Sequence, residues 1–210
     1  MKTSKTILVL APHTDDGEFG CGGTIAKFIE QGAKVIYAAF SSSEQSVLPN
    51  YPSDILHTEL IQAITVMGIK ETNCLLFNYE VRRFPEFRQK ILDQMIELND
   101  RFQPDIVFLP SKNDTHQDHQ TIANEGFRAF KRTTMLGYEL PWNNLDFRTS
   151  CFVEISEANL DKKIYALSKY KSQMHKPYSE PSFIRGLALT RGVQISRRFA
   201  ESFEVVRWII

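Results

Sequence analysis

A mostly parallel β-sheet with helices on both faces is the fold the sequence predicts, and three observations predict it. Four apolar runs of strand length lie in the first two-thirds of the chain: TILVLA (6–11), KVIYAAF (34–40), NCLLFNY (73–79) and DIVFLP (105–110). Continuous apolar runs of this kind fit strands buried on both faces of a parallel sheet. Segments with helical periodicity alternate with them, and that alternation argues for a three-layer, Rossmann-like α/β sandwich with right-handed crossovers. No repeat, low-complexity tract or linker interrupts the 210 residues, so one domain over 1–210 is expected.

Each element has its own justification. Behind the first run, TIAKFIEQ reads as a helix, preceded by glycines that would let the chain turn tightly and pack close. Leu56, Leu60, Ile61, Ile64 and Met67 recur at helical spacing, as do Phe87, Ile91, Leu92, Met95, Ile96 and Phe102. Pro85 is placed to open the second of these helices and Pro104 to close it. HQDHQTIANEGFRAFKR is helical through Ile122, Phe127 and Phe130. TMLGYEL and RTSCFVEIS then read as strands separated by the turn-like PWNN (141–144), forming a less regular edge of the sheet. LDKKIYALSKY (160–170) is one more amphipathic helix, and the terminal FEVVRWII is apolar enough for an edge strand or an interface.

Composition narrows the function classes. Apolar content of 42 % and charged content of 24 % are those of an ordinary globular protein. Formal net charge is zero, so no global field favours nucleic acid or an anionic membrane. The RR pairs at 82–83 and 197–198 read as solvated faces. Three cysteines, Cys21, Cys74 and Cys151, form no C-x-x-C pair and suggest a reducing compartment. The apolar stretch at the start, Ile7 to Pro12 at most, is shorter than a signal peptide needs, and no run approaches membrane-span length. A cytoplasmic protein is the expectation.

Two clusters carry the chemistry. APHTDDGEFGCGG (11–23) follows the first predicted strand and NDTHQDH (113–119) follows the fourth. In an open α/β sheet, ligands bind beyond the carboxyl ends of the strands, so the two clusters can meet there. His13, Asp15, Asp16 and Glu18 come from the first, and Asp114, His116, Asp118 and His119 from the second. Crowded carboxylates need a positive partner, and imidazole with carboxylate suits zinc. His13, Asp16 and His119 could supply two imidazoles and a carboxylate, with Asp15 beside them as a general base. The competing readings are a capped turn and a surface histidine cluster. A dinucleotide fingerprint would need glycine at 20, 22 and 25, but position 25 is isoleucine; no P-loop Gly-Lys-Ser/Thr follows either.

With these motifs in place, the chain resembles the PIG-L/LmbE family of zinc-dependent N-deacetylases. The family's A-H-P-D-D-E and following G-G-T stand here as PHTDDGEFGCGGT, and its H-x-D-H as HQDH (116–119). YKSQ (170–173) and FAESF (199–203) are similar to its C-terminal segments. Thr14 replaces the usual proline, and Gly17 the usual glutamate, with Glu18 one place on. The resemblance implies one Zn²⁺ per chain on His13, Asp16 and His119, with Asp15 as base. It also implies His116 as a positive donor at the reacting carbonyl, with Asp118 supporting it. The implied reaction removes acetyl from an N-acetylglucosamine-type sugar or conjugate, and the resemblance allows a homo-oligomer. For the substrate, Arg82 or Arg83 could hold a phosphate or carboxylate, and Trp142 and Asn143 could wall a sugar ring. Two rivals remain. In a metal-dependent phosphoesterase, Glu18, Asp114 and Asp118 would be spare ligands for a second ion. The other is a non-catalytic sugar- or metal-binding protein on the same fold.

Overall fold

A computed structural model describes residues 4–209; Met1–Thr3 and Ile210, the outermost residues of the expected domain, lie outside the described residues. Seven strands form one sheet in the order β3-β2-β1-β4-β5-β7-β6. β1 (Thr6–Ala11), β2 (Lys34–Ala39), β3 (Cys74–Leu76), β4 (Ile106–Pro110) and β5 (Thr134–Tyr138) run parallel. β7 (Ala200–Arg207) runs antiparallel to β5, and β6 (Cys151–Glu154) antiparallel to β7.

Alternate residues of the central strands feed two cores. Ile7, Val9 and Ala11 of β1 join Val35, Tyr37 and Ala39 of β2 on one face. There they meet α1 (Asp16–Glu30), α2 (Ile55–Met67), α5 (Glu157–Leu167) and α6 (Pro181–Val193). Leu8, Leu10, Ile36 and Ala38 point the other way, against α3 (Arg88–Phe102) and α4 (Gln117–Ala129). Both faces are covered, which is why β1, β2 and β4 read as unbroken apolar runs. Three layers with a mostly parallel sheet follow, as the sequence predicts.

The structure departs from expectation at four places. β3 is only three residues long and half-buried, because it closes one edge of the sheet rather than sitting inside it. β5 is fully buried and does not border β6: β7 inserts between them, so FEVVRWII starts in the sheet interior and is not an edge strand. Beyond β7, Trp208 and Ile209 are exposed. The PSFIRGLALTRGV segment forms α6, which periodicity does not reveal because only Ile184, Ala188 and Gly192 are buried along it. Finally, α1 begins at Asp16, so the glycines lie within the helix rather than in a loop before it.

Those glycines serve close packing. A side chain at Gly17 would meet the Tyr37 ring at 2.6 Å, and one at Gly23 would meet Ile155 at the same distance. This accounts for the departure at position 17: the glutamate usual in the family has no room beside Tyr37. The helix is also broken, since Cys21 has φ −145° and ψ 23°. A break leaves backbone groups without helical partners. Glu201 of β7 accepts from Gly23 N at 2.9 Å and Thr24 N at 2.6 Å, while Lys163 of α5 donates to Phe19 O at 2.7 Å. Lys163 Nζ also sits 2.7 Å from Glu201 Oε1, a buried ion pair that ties both sides of the break to the sheet and to α5.

Topology places the site. The chain leaves β1 toward β2 and β3, then returns to β4 on the other side of β1. The strand order therefore reverses between β1 and β4, and such a reversal opens a crevice at the carboxyl ends. Both clusters follow these two strands.

Candidate metal centre

Three side chains converge in the crevice with one donor geometry. His13 Nδ1 lies 3.0 Å from Asp16 Oδ2, His119 Nε2 lies 3.2 Å from the same oxygen, and the two nitrogens are 3.2 Å apart. Tetrahedral zinc with bonds of about 2.0–2.1 Å spaces its ligands about 3.3–3.5 Å apart. The triangle fits that spacing with a small expansion. Both imidazoles are also oriented for it. His13 Nε2 is held by Asp118 Oδ2 at 3.0 Å and His119 Nδ1 by Asp114 Oδ2 at 2.7 Å, leaving His13 Nδ1 and His119 Nε2 to face the common point. Metal-binding histidines are commonly fixed by a carboxylate on the far nitrogen in this way. The cluster could hold a metal ion.

The electrostatics agree that a positive charge belongs there. Burial works against the charge on His119, but Asp16 and the bond to Asp114 override it and raise its pKa to about 10. His13 is raised against burial by Asp16 and Asp118. Asp16, although buried, is held well below the usual carboxylate range by His119 and His13. The carboxylates therefore favour positive charge at the point the two imidazoles face.

Asp15 and His116 border the same pocket. Asp15 makes no hydrogen bond or ion pair to another side chain among the described residues. Burial raises its pKa, Lys176 opposes this, and Asp16 adds to it. His116 stands beside the triangle: one ring nitrogen from each of His13, His116 and His119 lies within 4.8 Å of the others. Its Nδ1 accepts from Asp118 N at 3.2 Å, so the proton of a neutral ring sits on Nε2. Burial, followed by His119 and His13, lowers the His116 pKa to about 4. Burial and the neighbouring imidazoles thus disfavour the charged form of the His116 ring, against the positive donor that the resemblance implies. The Asp118 carboxylate supports His13 rather than His116, which it approaches only to 4.0 Å, and it is anchored by Arg82 N at 2.6 Å and Phe84 N at 3.2 Å.

The carboxylates counted as spare are all engaged. Asp114 holds His119 and accepts from His116 N; Asp118 holds His13. Glu18 is fully buried and bonded to Tyr37 Oη and, at 3.1 Å, to Tyr170 Oη. Both tyrosine hydroxyls also lie within hydrogen-bond distance of Thr14 O, at 2.9 and 2.8 Å, so each shares its one proton between Thr14 O and Glu18 beneath the loop that joins His13 and Asp15.

Of the four substrate candidates, Arg82, Trp142 and Asn143 line the pocket and Arg83 does not. Arg83 is tied to Glu80 at 2.9 Å and Glu86 at 2.6 Å. Trp142 stacks on Tyr178 with ring centroids 3.8 Å apart and planes 7° from parallel, and its edge meets Phe19. Asn143 uses its carbonyl to accept from Thr115 N at 3.0 Å, joining the loops after β4 and β5. Sequence reasoning missed His175, Lys176 and Tyr178, which reach the pocket from the connection between α5 and α6. The run of polar and aromatic residues in YKSQMHKPYS, directly after a helix, is the signal that could have found them.

The chain is similar to known proteins in sequence and in fold. The Escherichia coli protein described as uncharacterized deacetylase YaiS is 27% identical over 176 residues, covering 80% of this chain and 91% of that protein. The diacetylchitobiose deacetylase of Thermococcus kodakarensis is 23% identical over 231 residues, covering 96% of this chain and 83% of that protein. The solved structure of the 4-carboxy-2-hydroxymuconate hydratase of Pseudomonas putida superposes with a TM-score of 0.80 at 21% identity, covering 98% of each chain. The fold is thus shared with a protein of different chemistry. The sequence model of the PIG-L family, GlcNAc-PI de-N-acetylase, matches residues 8–130, more than half of the chain and both histidine motifs. The chain belongs to the PIG-L family.

Proposed function

We propose that the protein is a zinc-dependent hydrolase. It removes the acetyl group from the nitrogen of an N-acetylglucosamine-type amino sugar or conjugate and releases acetate and a free amine. The observation that carries this reading is the triangle of His13 Nδ1, Asp16 Oδ2 and His119 Nε2, with Asp15 and His116 beside it in one pocket. The deacetylases among its relatives support it.

His13, Asp16 and His119 would hold the ion, and Asp118 and Asp114 fix the orientation of the two imidazole rings. Bound there, zinc supplies Lewis acidity, polarising a carbonyl and acidifying water. Asp15 takes the proton from the attacking water at its carboxylate and passes it to the departing amine nitrogen. Burial raises its pKa, which makes it a better base than an exposed aspartate. His116 donates its Nε2 proton in a hydrogen bond to the acetyl carbonyl oxygen, where negative charge develops; the Asp118 N–H on Nδ1 keeps that tautomer. The Trp142–Tyr178 stack gives the sugar ring an apolar wall.

Acetate release from a panel of N-acetylglucosamine compounds, by protein of known metal content, tests the reading. Acetate from any member supports it. Metal-loaded protein that hydrolyses a phosphate ester and no acetamide would replace it with the phosphoesterase reading.

A further inference from the structure

Two residues lining the pocket hold backbone conformations that side chains disfavour. Ser43, after β2, has φ 53°, and Arg82, after β3, has φ 67°. Left-handed backbone outside glycine is costly and collects at functional sites. At Arg82 the catalytic layer enforces it: its N–H donates to Asp118 Oδ2 at 2.6 Å and its carbonyl accepts from Gln117 Nε2 at 2.6 Å. Glycine would make both bonds at lower strain. What arginine adds is its guanidinium, and among the described residues that group makes no hydrogen bond or ion pair. It is exposed and lines the pocket. Arg83 next to it is the contrast, bridged to two glutamates outside the pocket. A second polar group of the pocket also lacks a protein partner: Ser43 Oγ is buried with no hydrogen bond. The other cation at the pocket, Lys176, is raised in pKa against burial by Asp15, so it already answers a protein charge.

We propose that Arg82 receives an anionic group, a phosphate or a carboxylate, carried by the amino-sugar substrate. A guanidinium presents two parallel donors to either anion, and an unpaired one at a pocket wall selects for them. The identity of the sugar rests on the deacetylase reading; the anion receptor does not.

The test compares N-acetylglucosamine 1-phosphate and carboxymethyl N-acetylglucosaminide with the neutral methyl N-acetylglucosaminide. For the wild-type protein, kcat/KM is expected to favour one anionic compound by about tenfold or more, and the preferred arm names the anion. Arg82→Gly is expected to bring that ratio close to one, and Arg82→Lys to retain part of it, since lysine keeps the charge without the fork. Because glycine relieves the backbone, the Tm of R82G is expected not to fall, which separates lost recognition from lost folding. Calorimetric titration of the same compounds into zinc-loaded protein gives a readout independent of turnover. Tighter anion binding that R82G erases, with no acetate from any compound, upholds the receptor and removes the deacetylase reading. Equal treatment of neutral and anionic compounds by the wild type, or a preference that survives in folded R82G, overturns the proposal.

Discussion

Replacing Glu201 with glutamine tests whether the break in α1 is held by distant charges. In the native protein Glu201 Oε1 accepts from Gly23 N and Lys163 Nζ, and Oε2 accepts from Thr24 N. Glutamine has one acceptor oxygen. Placed at Oε1 it keeps Gly23 and Lys163 but sets an NH₂ against the Thr24 N–H; placed at Oε2 it sets the NH₂ against Gly23 and the ammonium. Either way the Lys163 charge stays buried without its counter-ion. Breaking a buried pair from one side costs about 3–5 kcal/mol. At about 2–4 °C per kcal/mol for a chain of this size, Tm is expected to fall by about 6–20 °C. The assay is thermal and urea unfolding of E201Q, K163M and the double variant. K163M leaves the Glu201 carboxylate buried without its counter-ion and also strips Phe19 O of its donor, which adds about 1–3 kcal/mol. The double variant buries no unpaired charge, so it is expected to lose less than the sum of the singles, by about 1–3 kcal/mol. A Tm loss under about 2 °C for E201Q, or additivity within about 0.5 kcal/mol, would refute the reasoning.

Further outcomes follow from the site. Asp15→Asn is expected to retain metal and lose about 10²–10⁴ in kcat, checked by elemental analysis beside acetate release; metal loss would mean that Asp15 and Asp16 exchange roles. Asp114→Asn weakens the hold on His119 and is expected to reduce metal affinity about 10–100-fold in chelator competition, with unchanged affinity contradicting its orienting role. His116→Gln is expected to cost about 10²–10³ in kcat with little change in metal content. Glu18→Gln addresses pH. Burial raises the Glu18 pKa from 4.5 to about 8. The folded protein therefore keeps a proton that the unfolded chain sheds. This contribution is full below pH 4.5 and is lost as pH rises toward 8, at a slope of up to about 1.4 kcal/mol per pH unit. E18Q is expected to flatten that part of the stability–pH curve, and an unaltered slope would show that Glu18 is ionised in the folded protein.

Much of this architecture is legible in the sequence, and the limits have physical causes. β1, β2 and β4 declare themselves because a strand covered on both faces must be apolar at every position. The convergence of His13, Asp16 and His119 is legible because the position after a strand tells where side chains on two loops can meet. What stays hidden depends on partners far along the chain. Nothing in EFGCGGT reveals a broken helix, because its missing acceptor and donor come from Glu201 and Lys163. Nothing distinguishes Arg82 from Arg83, because the difference is a backbone angle and two glutamates. Asp118 points to His13 rather than to His116, two residues before it, because the α4 N-terminus turns its carboxylate across the crevice. α6 escapes notice because its apolar residues lie around the helix, Ile184 and Ala188 buried but Phe183, Leu189 and Val193 exposed, so no single apolar stripe stands out.

The central claim is that one metal ion sits on His13, Asp16 and His119. Elemental analysis of protein purified without added metal, beside the Asp16→Asn and His119→Gln variants, tests it most directly. One zinc per chain in the wild type, with little or none in either variant, is the expected result. Two metals per chain, or variants that keep a full complement, would contradict it.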